Sequence, residues 1–170
     1  MRSNEKKAAT AALMFASLVF SLPPAATAAS PDTTQMTIQA RVPAVCRVEN
    51  ATTLDFAEVD NAFGADTDGS ATVDWRCTRN TSASIEIDGG MSGTRKMTSG
   101  ATSTPLAYEL YQNPARDQRW GSASEAVSVN GKGMNDAEPL TVYGRVDYAD
   151  AEVADPSNDY SDVVTISISW

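Results

Sequence analysis

The side chains with the most chemical potential in this chain are two cysteines and a surplus of carboxylates. The 170 residues include 22 Asp and Glu and two Cys, but no His. Without an imidazole there is no Ser/His/Asp triad, no His-ligated zinc and no side chain that ordinarily titrates near neutrality. The GxSxG elbow, the SxxK pair, the phosphate-binding glycine loop and the dinucleotide fingerprint are also absent. Two carboxylates flanking a sugar bond remain a conceivable chemistry. In so acidic a chain some such pair is always at hand, so the residues point away from an enzyme and no cofactor is expected. Asp60, Asp66, Asp68 and Gly69 fall in one predicted loop with an Asp-x-Asp-Gly run. No glutamate closes the EF-hand spacing there, which favours a solvated turn over a calcium site. The acids Asp147, Asp150, Glu152, Asp155 and Asp159 read the same way.

Cys46 and Cys77 lie too far apart for a CxxC redox or zinc motif, and a disulfide between them depends on the compartment. The N-terminus speaks to that. Arg2, Lys6 and Lys7 precede an apolar run from Ala8 to Leu22, Pro23 and Pro24 end it, and Ala26-Thr27-Ala28 offers small residues for cleavage. The run is shorter than the roughly 20 residues of a spanning helix, so residues 1–28 are expected to be an export signal. In an oxidising compartment Cys46 and Cys77 are expected to bridge, closing a loop of about 32 residues and stabilising the fold by about 3 to 4 kcal/mol.

Removing Arg2, Lys6, Lys7 and Glu5 with the signal leaves 10 basic against 21 acidic side chains, a net charge of about −11. That charge repels nucleic acid and anionic membranes. Roughly 140 residues remain, enough for one domain with one core.

The elements that hold these residues read as strands. Past the signal no sustained 3.6-residue apolar period occurs, whereas alternation of apolar and polar residues recurs. It runs through Met36, Ile38, Ala40 and Val42 up to Pro43; through Ala44, Cys46 and Val48; through Ala71, Val73, Trp75 and Cys77; and through Ala83, Ile85 and Ile87 up to the Asp88-Gly89-Gly90 turn. Further runs are Leu106, Tyr108 and Leu110, then Val127 and Val129, then Leu140, Val142 and Gly144. The last is Val164, Ile166, Ile168 and Trp170. Six or more short strands with turn residues between them predict an all-β sandwich of two antiparallel sheets.

Both ends of this pattern call for an explanation. An immunoglobulin-like sandwich closes with a seventh strand after the sixth, and here the pattern stops one strand early. An edge and part of the core would then stand open, a hazard that an incoming strand from another chain removes. Met36 to Val42 is either that kind of donor or an ordinary first strand on its own sheet.

The motifs in order are Cys46, Leu54-Asp55-Phe56, Trp75-Arg76-Cys77-Thr78, Gly89-Gly90, Arg95-Lys96-Met97, Leu106-Ala107-Tyr108-Glu109-Leu110-Tyr111 and Trp120-Gly121. Leu140-Thr141-Val142-Tyr143-Gly144-Arg145-Val146 and Tyr160-Ser161-Asp162-Val163-Val164-Thr165-Ile166 complete the set. From about Met36 to Trp170 the chain resembles the spore coat protein U domain family, which includes subunits of archaic chaperone-usher pili. It departs from the family in having Ala57 where glycine usually follows the Leu-Asp-Phe triplet. Asn158 stands where glycine usually precedes the Tyr160 position, and Trp170 stands where tyrosine usually ends the chain.

The resemblance implies an incomplete immunoglobulin-like sandwich of six strands plus an N-terminal donor strand. Residues 29–43 would be the extension and 44–170 the pilin domain. It also implies export through the periplasm to the cell surface as pilus or fimbrium, a periplasmic chaperone, an outer-membrane usher, and neighbouring subunits joined by donor-strand complementation in adhesion or biofilm. Met36, Ile38, Ala40 and Val42 would be inserted into a neighbour. Val164, Ile166, Ile168 and Trp170 would line the acceptor groove and meet the chaperone, with the terminal carboxylate as an anchor. The alternatives are a secreted carbohydrate- or surface-binding module, such as an adhesive tip, and a spore coat component.

Overall fold

The computed structural model describes residues 28–170, and the expected signal over 1–28 lies outside the described residues except for Ala28. The chain divides into two units, Met1–Ala40 and Arg41–Trp170. In the first, residues 28–40 form no strand and their side chains are exposed.

The second unit is built from alternation. In β2 (Thr67–Cys77) the odd-numbered Val73, Trp75 and Cys77 are buried and their neighbours are not, which is how a pleated strand separates a core face from a solvent face. The same period puts Ala83, Ile85 and Ile87 of β3 (Ser82–Ile87) and Val142 and Val146 of β8 (Gly133–Val146) into the core. The remaining strands are β1 (Cys46–Ala51), β4 (Lys96–Met97), β5 (Leu106–Ala107), β6 (Glu109–Tyr111), β7 (Val127–Asn130) and β9 (Ile166–Ser169), with a 3-10 turn at Ala123–Glu125 and one α-helical turn, α1 (Tyr148–Ala151).

One sheet has the order β1-β2-β8-β6, the other β7-β3-β9, and β4 pairs with β5. Every pairing is antiparallel. With β1, β2, β3, β6, β8 and β9 taken as A to F, this is the A-B-E-D sheet of an immunoglobulin-like sandwich facing C and F. Among the described residues no strand occupies the seventh position beside β9. The fold is therefore an all-β, incomplete immunoglobulin-like sandwich, with β4, β5 and β7 added to the six principal strands.

Several boundaries differ from the sequence expectation. The alternation from Met36 to Val42 forms no ladder, and the second expected strand starts at Cys46 and runs on to Ala51. The run at Leu106 to Leu110 breaks at Tyr108, whose amide donates to Arg95 O at 3.0 Å. Val164 and Trp170 fall outside β9. Ahead of β9 the Asp88 carboxylate takes the Thr165 amide at 2.8 Å, so a side chain replaces the ladder bond.

Arg95 is the one charged side chain buried among the described residues. Its Nη2 donates to Ile87 O at 3.1 Å and Trp120 O at 2.6 Å, holding the end of β3 against the loop that carries Trp120. Trp120 in turn donates from Nε1 to Ile85 O at 3.0 Å.

Candidate strand-accepting cleft

Cys46 and Cys77 stand directly opposite each other in the β1–β2 ladder and are joined as a disulfide. The bridge fastens edge strand β1 to the central strand β2 and covers the end of the core with two buried sulfurs. It is a structural fastening, as the sequence predicted.

The site that β1 helps to form lies on its other side. Among the described residues β1 pairs only with β2, and β9 pairs only with β3, so each is the edge of its sheet and the two edges face one another. At one end they are drawn together, where the Trp170 Nε1 donates to Ala44 O at 3.2 Å. At the other end they part into a cleft of about 470 Å³. Its floor is core: Val73, Ile87, Leu110 and Val142 line it and are otherwise almost fully buried. One wall is Ala51 to Phe56, following β1, and the other is Tyr160 to Val164 with Ile166.

Glycines shape the first wall. Gly69 of β2 and Gly144 of β8 are register partners. A Cβ on Gly144 would lie 2.9 Å from the side chains of both Leu54 and Phe56, and one on Gly69 would lie 3.0 Å from Leu54. The missing side chains are the seat on which Leu54 and Phe56 rest. The second wall is tied down by Asp162. Its carboxylate accepts the Met91 amide at 2.9 Å, the Val163 amide at 2.8 Å and the Tyr108 hydroxyl at 2.8 Å. Gly90, at φ +74, leaves room for it, since a Cβ there would overlap the carboxylate. Burial, and then the bond to Asp162, push the Tyr108 phenol well above its ordinary range, so it stays a donor. Asp88 is held below the usual carboxylate range chiefly by the Thr165 amide.

Of the predicted acceptor residues, Val164 and Ile166 line the cleft. Ile168 is half-buried farther along the same edge strand, and Trp170 is 59% exposed at the pinched end; neither lines this cleft. Met36, Ile38 and Val42 are 80%, 83% and 85% exposed, and Ala40 is exposed too. Sequence reasoning did not assign Leu54, Phe56, Tyr160 or Asp162 to the site. The available signal was the Leu-x-Phe alternation together with glycines at two strand positions where a side chain was due.

The acidic loop is corrected. Asp68 and Gly69 lie within β2, and Asp68 accepts Arg145 Nε at 2.8 Å and ion-pairs with Arg116 at 3.1 Å. The Arg145 hydrogen bond holds the Asp68 carboxyl below its usual range. Asp66 ion-pairs with Arg145 at 3.3 Å, while Asp60 accepts the amides of Ala62 and Phe63 in a turn.

The profile of the Spore Coat Protein U domain matches residues 32–167. The chain belongs to the spore coat protein U domain family. It is 27% identical over 184 residues to Protein U of Myxococcus xanthus, covering 98% of this chain and 99% of that protein. A solved structure similar to this member of the family is the CsuC-CsuE chaperone-tip adhesion subunit pre-assembly complex from the archaic chaperone-usher Csu pili of Acinetobacter baumannii. The match has a TM-score of 0.49 and 23% identity and covers 76% of this chain and 40% of the solved one.

Proposed function

We propose that this chain is a structural subunit of an archaic chaperone-usher pilus. It is exported through the periplasm and polymerises at the cell surface by donor-strand complementation. A periplasmic chaperone holds the cleft until an outer-membrane usher delivers the next subunit. The observation that carries this reading is the cleft itself. Two unpaired edges, β1 and β9, flank an opening floored by core residues, and a strand laid between them supplies both the missing ladder and the missing apolar cover.

The chain also holds a matching strand. Met36, Ile38, Ala40 and Val42 alternate with polar residues and are exposed. Burying Met36 or Ile38 in a neighbour contributes about 1.5 to 3 kcal/mol each, and ladder bonds add to this. The role in this reading is structural.

The test is deletion of residues 35–41. Wild-type protein assembled with its chaperone and usher is expected to give multimers that resist sodium dodecyl sulfate. The deletion variant is expected to give monomer or chaperone-bound protein only. Multimers from the deletion variant would end the donor-strand reading.

A further inference from the structure

Beside the cleft lies a second hollow, a groove of about 660 Å³ between residues 54–61 and residues 151–160. Its size falls in the range of about 300 to 1,000 Å³ that small-molecule sites occupy. Leu106 and Ala151, both buried, line it together with the half-buried Met97 and Ala154.

Each wall is braced on its own side. In the first, Asp55 accepts the Ala57 amide at 2.7 Å and Asp60 accepts the amides of Ala62 and Phe63. In the second, the Tyr160 hydroxyl lies 2.9 Å from Asp155 O and 3.0 Å from Thr104 O, and the Asp155 carboxylate accepts the Thr104 hydroxyl at 2.6 Å. No hydrogen bond or ion pair among the described residues runs from one wall to the other, so nothing zips the groove shut.

The charge on this groove has one sign. Asp55, Glu58 and Asp155 are the charged residues that line it; all three are exposed, and none makes an ion pair among the described residues. The surroundings offer no compensation. Residues 52–66 and 147–165 hold ten acidic side chains and no Lys or Arg, and of the ten only Asp66 has an ion pair, with Arg145.

The carboxylates do not converge as metal ligands do, since no three Asp, Glu or Cys side chains among the described residues come together to hold an ion. What complements the groove is a set of separated cations carried on an aliphatic body. Methylene groups match Leu106, Met97 and Ala154, and ammonium groups match the carboxylates. The faces of Phe56 and Tyr160, which also line the groove, attract cations as well.

We propose that this groove binds a linear aliphatic polyamine, its chain on the apolar lining and its ammonium groups at Glu58, Asp155 and Asp55. The site does not depend on polymerisation, so its failure would leave the donor-strand reading untouched.

The experiment is calorimetric titration of spermidine into the exported full chain at low salt, where saturable binding at one site per chain is expected. Glu58→Gln and Asp155→Asn are each expected to weaken it by about two- to fivefold. Glu58 makes no hydrogen bond among the described residues, and Asn at 155 keeps an oxygen for Thr104, so both variants leave the fold intact. Asp136→Asn removes the same charge from an exposed position near the far end of β8 and is expected to leave the affinity unchanged. Magnesium ions at matched charge are expected to displace spermidine poorly. Equal losses in all three variants, or full displacement by magnesium, would reduce the binding to a diffuse ion atmosphere and overturn the site. Absence of saturable binding would overturn it too, and tighter binding of glucosamine than of spermidine would overturn the polyamine as its ligand.

Discussion

Strands β3 and β9 lie side by side and carry the same Ile-x-Ile run, yet they do opposite things with it. Ile85 and Ile87 are 0% and 1% exposed, whereas their register partners Ile168 and Ile166 are only half-buried. Intrinsic β propensity is the same for both. The difference is what lies beyond each strand: β3 has β7 on its far side and Trp120 bonded to its Ile85 carbonyl, while β9 has an unpaired edge. A strand's sequence sets which face is apolar, and its neighbours decide whether that face is covered.

The contrast breaks most readily at the paired isoleucines. Ile85→Ala is expected to destabilise the monomer by about 2 to 5 kcal/mol through lost burial and a cavity. Ile168→Ala in the same monomer is expected to cost about 1 kcal/mol, since part of its surface already meets water. In the assembled multimer the cost of Ile168→Ala should rise toward that of Ile85→Ala. Urea unfolding of monomers and heat dissociation of multimers measure the two quantities. Equal costs in the monomer would mean that β9 is already covered without a partner.

The same contrast explains what was legible in the sequence. The paired strands β2, β3 and β8 were readable because a one-sided strand writes its burial as alternation, and the Cys46–Cys77 bridge was readable because few partners existed. The cleft was less so. Val164 and Ile166 showed the same alternation as core strands, and nothing in their spacing distinguished a covered face from an open one. The wall at Leu54 and Phe56 depends on Gly69 and Gly144 becoming register partners from positions 75 residues apart in sequence, which no local pattern records. Asp68 looked like a loop acid because Asp-x-Asp-Gly is turn chemistry. Pairing with β8 overrode that preference and set Asp68 beside Arg145 and Arg116.

Charge sharpens the contrast between the closed seam and the open one. On the seam of β2 and β8, Asp68 meets two guanidiniums and its pKa is depressed, first by the Arg145 hydrogen bond. A depressed folded pKa means stability that is present above the unfolded value near about 3.9 and is lost as pH falls through the folded value. Asp68→Asn is therefore expected to lower stability at pH 6 by about 1 kcal/mol, a figure kept small because the Asp68 side chain is 39% exposed and screened. The gap between wild type and variant should close as the pH is taken below about 3. A gap independent of pH, followed by chemical denaturation at each pH, would show that Asp68 acts through packing and not through its charge.

The smallest expected effect sits just beyond the cleft wall, one residue past the Leu54-Asp55-Phe56 run. Ala57, where the family resemblance leads one to expect glycine, has φ +53, in the left-handed region. Two terms oppose each other there. A Cβ in that conformation costs roughly 1 to 2 kcal/mol, whereas glycine surrenders about 0.5 to 1 kcal/mol more backbone freedom on folding. The first term exceeds the second, so Ala57→Gly is expected to stabilise the monomer by about 0.5 kcal/mol in urea unfolding. Asn158, at the other family glycine position, is not among the left-handed residues. Asn158→Gly carries only the entropic term and is expected to destabilise by a similar amount. Opposite signs at these two positions would separate a conformational demand on glycine from a merely habitual one.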